Sequence, residues 1–252
     1  MVKLIKKKLS LVILIPFLSM VFFGCSKENY TSVNTPLIQD TTTHHNDTTH
    51  TSKTYTFLAL GDSYTIGQSV QPSERFPAQT VRLIINDSIK ITDPVYIATT
   101  GWTTINLINA ITQQNPPNKF DIVTLLIGVN DQYQRMDTGG YRTRFTQLLN
   151  VAINLAAGKK TNVFVLSIPD YSATPFVSAS EKARVSMEID WYNAINKAVT
   201  IQNNIAYTNI TPSTRQAATD PSLIAQDGLH PSGKEYTKWA QMLAPLIRNA
   251  IK

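Results

Sequence analysis

Cysteine is nearly missing from this 252-residue chain, where Cys25 is the only one. A single thiol excludes a disulfide framework and any metal cluster built on several thiolates. Histidine is almost as scarce. Of the four, His44, His45 and His50 share one polar stretch, which leaves His230 as the sole imidazole elsewhere. The phosphate-cradling patterns GxGxxG and GxxxxGK[ST] do not occur, so neither a dinucleotide nor a nucleoside triphosphate is implied. No period of 20–50 residues repeats, which excludes solenoids and propellers. What is present is 42% hydrophobic and 16% charged residues. That is enough apolar material for a sizeable core, and it rules out a wholly disordered, collagen-like or coiled-coil chain.

The formal charge of +6 invites a nucleic-acid reading until its location is considered. Lys3, Lys6, Lys7 and Lys8 precede an apolar run of 15 residues at 9–23, with no acid among residues 1–24. This is the layout of a secretory signal. The run is short beside the ~20 apolar residues that a permanent membrane span requires. It ends in Phe23-Gly24-Cys25-Ser26, which resembles the lipobox of bacterial lipoproteins, with Phe22 where a Leu is usual. The resemblance implies cleavage before Cys25, lipid attachment to that thiol, and anchorage in the cell envelope outside the cytoplasm. An uncleaved signal anchor is the alternative. Without residues 1–24 the chain keeps 19 basic and 17 acidic residues, a net of +2. No basic run remains to follow a phosphate backbone, so nucleic acid is excluded as a partner. Residues 25–53 are polar and Thr-rich without helical or strand period, and read as a flexible tether. Its histidines with Asp47 read as a solvated spacer rather than a metal site.

From residue 54 to 252 the pattern is that of one domain. The runs YTFLAL (55–60), PVYIA (94–98), DIVTLLIG (121–128) and NVFVLSI (162–168) are apolar and of strand length, with IAYTNI (205–210) weaker. Continuous apolar runs are what strands buried on both faces of a parallel sheet need. Between them lie helical stretches at 76–86, 103–114, 142–157, 179–202 and 233–251. The last two carry apolar residues at helical spacing: Val185, Ile189, Tyr192, Ile195 and Val199, then Tyr236, Trp239, Leu243 and Ile247. The alternation predicts a doubly wound α/β domain whose site lies at the carboxyl ends of its strands.

Two places carry chemistry. His230 stands in Asp227-Gly228-Leu229-His230-Pro231-Ser232. Asp227 is close enough, through a turn that Gly228 permits, to accept the Nδ1 proton, and Pro231-Ser232 read as the entrance of the final helix. Ser63 follows the first strand in Gly61-Asp62-Ser63-Tyr64, which by itself is also an ordinary turn. A G-x-S-x-G elbow is not formed, because Thr65 stands where its second glycine would be. Asp62 and Asp131 read as structural acids that bond local backbone or cap a helix.

Taken in order, GDSY at 61–64, Gly101 of Thr100-Gly101-Trp102, GVND at 128–131 and DGLH at 227–230 resemble the four blocks of the SGNH (GDSL) hydrolases. The resemblance spans essentially all of 54–252. Tyr64 replaces the Leu of the GDSL name, and the second block is the loosest match. It implies a three-layer α/β/α, flavodoxin-like parallel sheet of about five strands and a serine esterase needing no metal or cofactor. Ser63 would be the nucleophile, His230 the base, and Asp227 the group that orients it. The oxyanion hole would comprise the backbone N–H groups of Ser63 and Gly101 and the side-chain amide of Asn130.

Loops at 64–75, around Trp102, at 132–140 and at 169–176 are expected to border the pocket. They bring Tyr64, Trp102, Tyr133, Tyr171 and Phe176 as candidates to stack on a sugar or wall an acyl chain. The substrates left open are short acyl or O-acetyl esters, including those of glycans, and, alternatively, lysophospholipids or thioesters of envelope lipids. A third reading, a tethered glycan-binding lipoprotein without catalysis, predicts erosion of Ser63, Asn130 or His230, and none is eroded.

Overall fold

The structure is a computed structural model that describes residues 52–251. The segments read as signal peptide and as nearly all of the tether, Cys25 included, lie outside those residues. Strand β1 (Lys53–Tyr55) leads into β2 (Phe57–Gly61), the single turn α1 (Ser63–Ile66) and α2 (Phe76–Ile84). There follow β3 (Ile89–Ile91), β4 (Val95–Ala98), α3 (Thr104–Gln114), β5 (Ile122–Leu126), α4 (Val129–Tyr133) and α5 (Thr138–Leu155). The last part holds β6 (Val163–Leu166), α6 (Lys182–Gln202), β7 (Ala206–Thr208), α7 (Thr211–Thr214) and α8 (Gly233–Ala250).

Five parallel strands form the main sheet in the order β4-β2-β5-β6-β7. β1 and β3 make a separate parallel pair. The residues of β2, β5 and β6 are all buried, whereas the edge strands β4 and β7 are partly open. This is why the central runs are continuously apolar: each face of a central strand meets helices, and neither meets water.

The strand order also places the helices. The chain steps from β2 outward to β4 through α2, then reverses past β2 to β5, β6 and β7 through α3, α5 and α6. Because such crossovers are right-handed, reversing direction moves the helices to the opposite face. The packing agrees, with α2 against α8 in one group and α3, α5 and α6 in succession in the other. The sheet is therefore doubly wound between two helical layers, as the alternation predicts. The apolar stripe of α8 (Tyr236, Trp239, Leu243 and Ile247) is wholly buried. Its Trp239 and Tyr236 rings meet at 4.9 Å and Phe76 of α2 lies 6.0 Å from Trp239.

The structure differs from the sequence reading in the short elements. Ser63, expected just past the first strand, opens the short helix α1, and Asn130 lies in the first turn of another, α4, neither of which the sequence pattern predicts. The α1 turn forms because the Asp62 carboxylate accepts the Tyr64 N–H at 3.0 Å, which satisfies a free helix-start donor. Helix α5 starts at Thr138 rather than near 142. Gly139 and Gly140 fall in the stretch expected to be a loop, but the Asp137 carboxylate caps the helix by accepting the Gly140 N–H at 2.5 Å.

Candidate active site

Reversal of the crossovers opens a crevice between the carboxyl ends of β2 and β5, the position where doubly wound sheets bind ligands. Ser63 follows β2 and Asn130 follows β5, so the two sides of that crevice each contribute one group. Close approach there depends on glycine. A Cβ on Gly61 would stand 2.4 Å from the Leu126 carbonyl oxygen of β5 and 2.1 Å from Thr65 Oγ1. Gly128, at a φ of +131°, would drive a Cβ to 2.7 Å from the Tyr141 ring.

His230 arrives from the far end of the domain. Its segment is tied down by an Ile224–Pro231 bridge, by the Ala225 N–H donating to the His230 carbonyl at 2.7 Å, and by Ser232 at the start of α8. Asp227 Oδ2 lies 2.6 Å from His230 Nδ1, and Asp227 Oδ1 accepts the backbone N–H groups of Leu229 and His230 at 3.0 and 2.9 Å. This pairing fixes Nδ1 as the donor and turns Nε2 outward as a base. Ser63, Asn130 and His230 line one cavity of about 140 Å³. Ser63 and His230 are not directly hydrogen-bonded among the described residues, as is common before substrate binds. Asn130 donates one amide hydrogen to the Trp102 carbonyl at 2.9 Å, which aims the amide and leaves its second hydrogen unused. The Ser63 and Gly101 N–H groups likewise have no acceptor among the described residues. Gly101 sits at a φ of +83° in the exposed turn before α3 and does not line the cavity.

The profile of the GDSL-like lipase/acylhydrolase family matches residues 59–238. The chain belongs to that family. Its reaction class is accordingly carboxylic ester hydrolysis. No curated protein sequence matches the chain. Among solved structures it is similar to TesA (TM-score 0.61, 16% identity, covering 77% of this chain and 99% of that one). It is also similar to a single-substitution form of Axe2, an acetyl xylan esterase from Geobacillus stearothermophilus (0.58, 19%, 77% and 94%). A third similar structure is a lipolytic G-D-S-L family member from Veillonella parvula (0.55, 17%, 79% and 96%). At these identities the likeness is one of fold.

The aromatic residues expected around this hydrolase pocket divide. Tyr64 and Tyr171 line the cavity but are buried, with the Tyr64 ring 5.1 Å from the His230 ring. Tyr133 and Phe176 also line it and remain 57% and 50% exposed. Trp102 does not line it: its ring packs half-buried on the core and only its carbonyl serves the site, by holding Asn130. Asp131 does not cap its own helix. Fully buried, it accepts the Thr104 N–H at 2.8 Å and the Thr104 hydroxyl at 2.5 Å, and pairs with Arg144 at 3.2 Å, so it joins α3, α4 and α5 behind Asn130.

Ser69 escapes the sequence reading. Its hydroxyl donates to Asp227 Oδ2 at 2.7 Å, beside the bond from the imidazole. It lies in the 64–75 loop expected to border the pocket, but no local pattern marks a serine that acts across 158 residues. Burial alone would raise the pKa of Asp227, yet the bonds from Ser69, His230 and Leu229 hold its carboxyl well below the usual carboxylate range. It is therefore an anion at neutral pH. Asp62 is the opposite case. Burial, outweighing its bond from the Tyr64 N–H, and the nearby Asp131 push it up from 3.8 to about 8, and its Oδ2 has no partner.

Two outcomes follow from these environments. Ser69→Ala is expected to lower kcat about 3- to 10-fold with KM unchanged, in keeping with the ~1 kcal/mol net contribution of one hydrogen bond; an unaltered kcat would show that Ser69 does not hold Asp227. Folding takes up a proton at Asp62, so wild type loses stability as pH rises between 3.8 and about 8. Asp62→Asn removes that loss. Its advantage in denaturant midpoint over wild type should grow across this interval and level off above it.

Proposed function

We propose that the protein is a serine esterase that cleaves short acyl or O-acetyl esters, including those carried on glycans. The reading rests above all on the 2.6 Å Asp227–His230 pair set beside Ser63 and Asn130 in one cavity. His230 Nε2 takes the Ser63 proton as Oγ attacks the ester carbonyl, while the Asp227 anion stabilises the imidazolium. The tetrahedral oxyanion receives the Asn130 amide hydrogen not used by Trp102, together with the Ser63 N–H. His230 then protonates the departing alcohol, and water repeats the sequence on the acyl-enzyme. A cavity of about 140 Å³ walled by Tyr64, Tyr133, Tyr171 and Phe176 favours a short acyl group over a long one. That is why the lysophospholipase or thioesterase reading ranks second. The non-catalytic reading has no observation in its favour, since Ser63, Asn130, Asp227 and His230 are all retained.

The test is hydrolysis of p-nitrophenyl acetate, butyrate and octanoate by the full chain. Acetate and butyrate should be preferred. Ser63→Ala should reduce turnover by at least about 10³-fold, and Asn130→Ala should lower kcat by about 10²–10³-fold. Equal activity of wild type and Ser63→Ala at every chain length refutes the esterase reading, whereas a preference for octanoate transfers support to the second.

We further propose, from the sequence at 1–25, that the enzyme is held in the cell envelope by lipid on Cys25. Cys25→Ser should then leave the precursor uncleaved or release the protein from membranes. Unchanged mass and fractionation would favour a signal anchor.

A further inference from the structure

The catalytic cavity does not end at its aromatic wall. Tyr133, Tyr171 and Phe176, whose ring centroids lie 6.2–6.3 Å apart, also wall a second cavity of about 470 Å³. That cavity shares Gln132, Arg135 and Arg184 with a third of about 380 Å³. The three lie in succession along one groove, each sharing lining residues with the next. One side is a single stripe of α6, since Arg184, Glu188 and Trp191 follow Glu181 at intervals of three and four residues. From Glu181 to Trp191 this stripe runs about 15 Å, at 1.5 Å per residue, which is longer than one sugar ring. The other side is the segment from Gln132 to Thr138.

The chemistry of the walls selects the occupant. A hydrocarbon chain here would strip water from Arg135, Asp137, Arg184 and Glu188, at a cost that it could not return. A polyanion is disfavoured as well, because acids and bases alternate along the stripe and Arg184 is bonded to both Glu181 and Glu188. Carboxylates accept and guanidinium groups donate, which suits neutral hydroxyls that do both. Trp191 at the far end is 53% exposed, and Tyr133 and Phe176 at the near end present open rings, the flat faces on which sugar rings stack. Arg135 makes no ion pair among the described residues and is held in the groove by a left-handed backbone at a φ of +55°, which an Arg adopts only under strain.

We infer that the groove from Tyr133 and Phe176 to Trp191 binds a neutral oligosaccharide as the alcohol side of the ester, with the acyl group alone in the small cavity at Ser63. This inference rests on the esterase reading and deepens it.

The experiment uses O-acetylated xylo-, cello- and chito-oligosaccharides of one to four sugars, with p-nitrophenyl acetate and lysophosphatidylcholine alongside. In at least one series kcat/KM should rise tenfold or more from one sugar to three. Trp191→Ala and Arg135→Asn, the latter suited to the left-handed backbone, should each bring that ratio back toward one without lowering the melting temperature. Binding is read separately, by quenching of tryptophan fluorescence on titration with the unacetylated sugars, a signal that Trp191→Phe should remove. Flat length dependence in all series, or a preference for lysophosphatidylcholine, overturns the groove assignment while turnover of p-nitrophenyl acetate leaves the esterase standing. Quenching that depends on Trp191, without turnover of any ester, upholds the groove and sinks the esterase.

Discussion

Side-by-side pairing of β2 and β5, at the point where the chain reverses its direction of crossover, is the constraint from which the site follows. Residues leaving the two strands at their carboxyl ends must face each other across the crevice, because no helix covers it there. Gly61 permits the approach, since a Cβ would meet the β5 backbone at 2.4 Å. Ser63 is then delivered by a one-turn helix started by Asp62, and Asn130 by a second short helix whose entry requires Gly128. Asp131 reinforces the same junction from behind through Thr104 and Arg144. The Trp102 carbonyl then orients the one amide that faces the cavity.

Three aspartates near this crevice illustrate how environment assigns different work to one side chain. Asp227 is partly open and accepts several donors, which favour its anion. Asp131 is buried with a guanidinium and a helix-start N–H, so its charge is compensated. Asp62 is buried with one accepting oxygen and one idle oxygen, and burial favours its neutral acid. A carboxyl that is neutral at moderate pH can cap α1 without adding a second negative charge behind the nucleophile.

Much of the fold was legible because periodicity reports burial. Apolar runs at 121–128 and 162–168 became strands closed on both faces, and the stripe from Tyr236 to Ile247 became the buried side of α8. Short elements were not legible. A five-residue helix such as α4, or the three-residue strand β3, contains too few residues to display a period. Each exists because something distant completes it: β3 pairs with β1, and α4 is braced through Asp131. The start of α5 defies its local pattern because one capping bond from Asp137 outweighs two glycines.

For the site, the sequence alone determined which residues are chemically able to act. A lone imidazole with an acid three residues before it, a serine past the first strand and an amide past the third main strand are facts of composition and order. Local spacing also sufficed for the Asp227–His230 pair, because a turn of four residues has few ways to close. Tertiary structure alone decided what these groups work with. Ser69 reaches Asp227 from 158 residues away, Trp102 contributes a carbonyl instead of its ring, and the α6 stripe meets the 132–138 segment to form a groove. Contacts of that kind depend on how strands are ordered and helices layered, and a linear pattern encodes the propensity of each segment but not which distant segment it will touch.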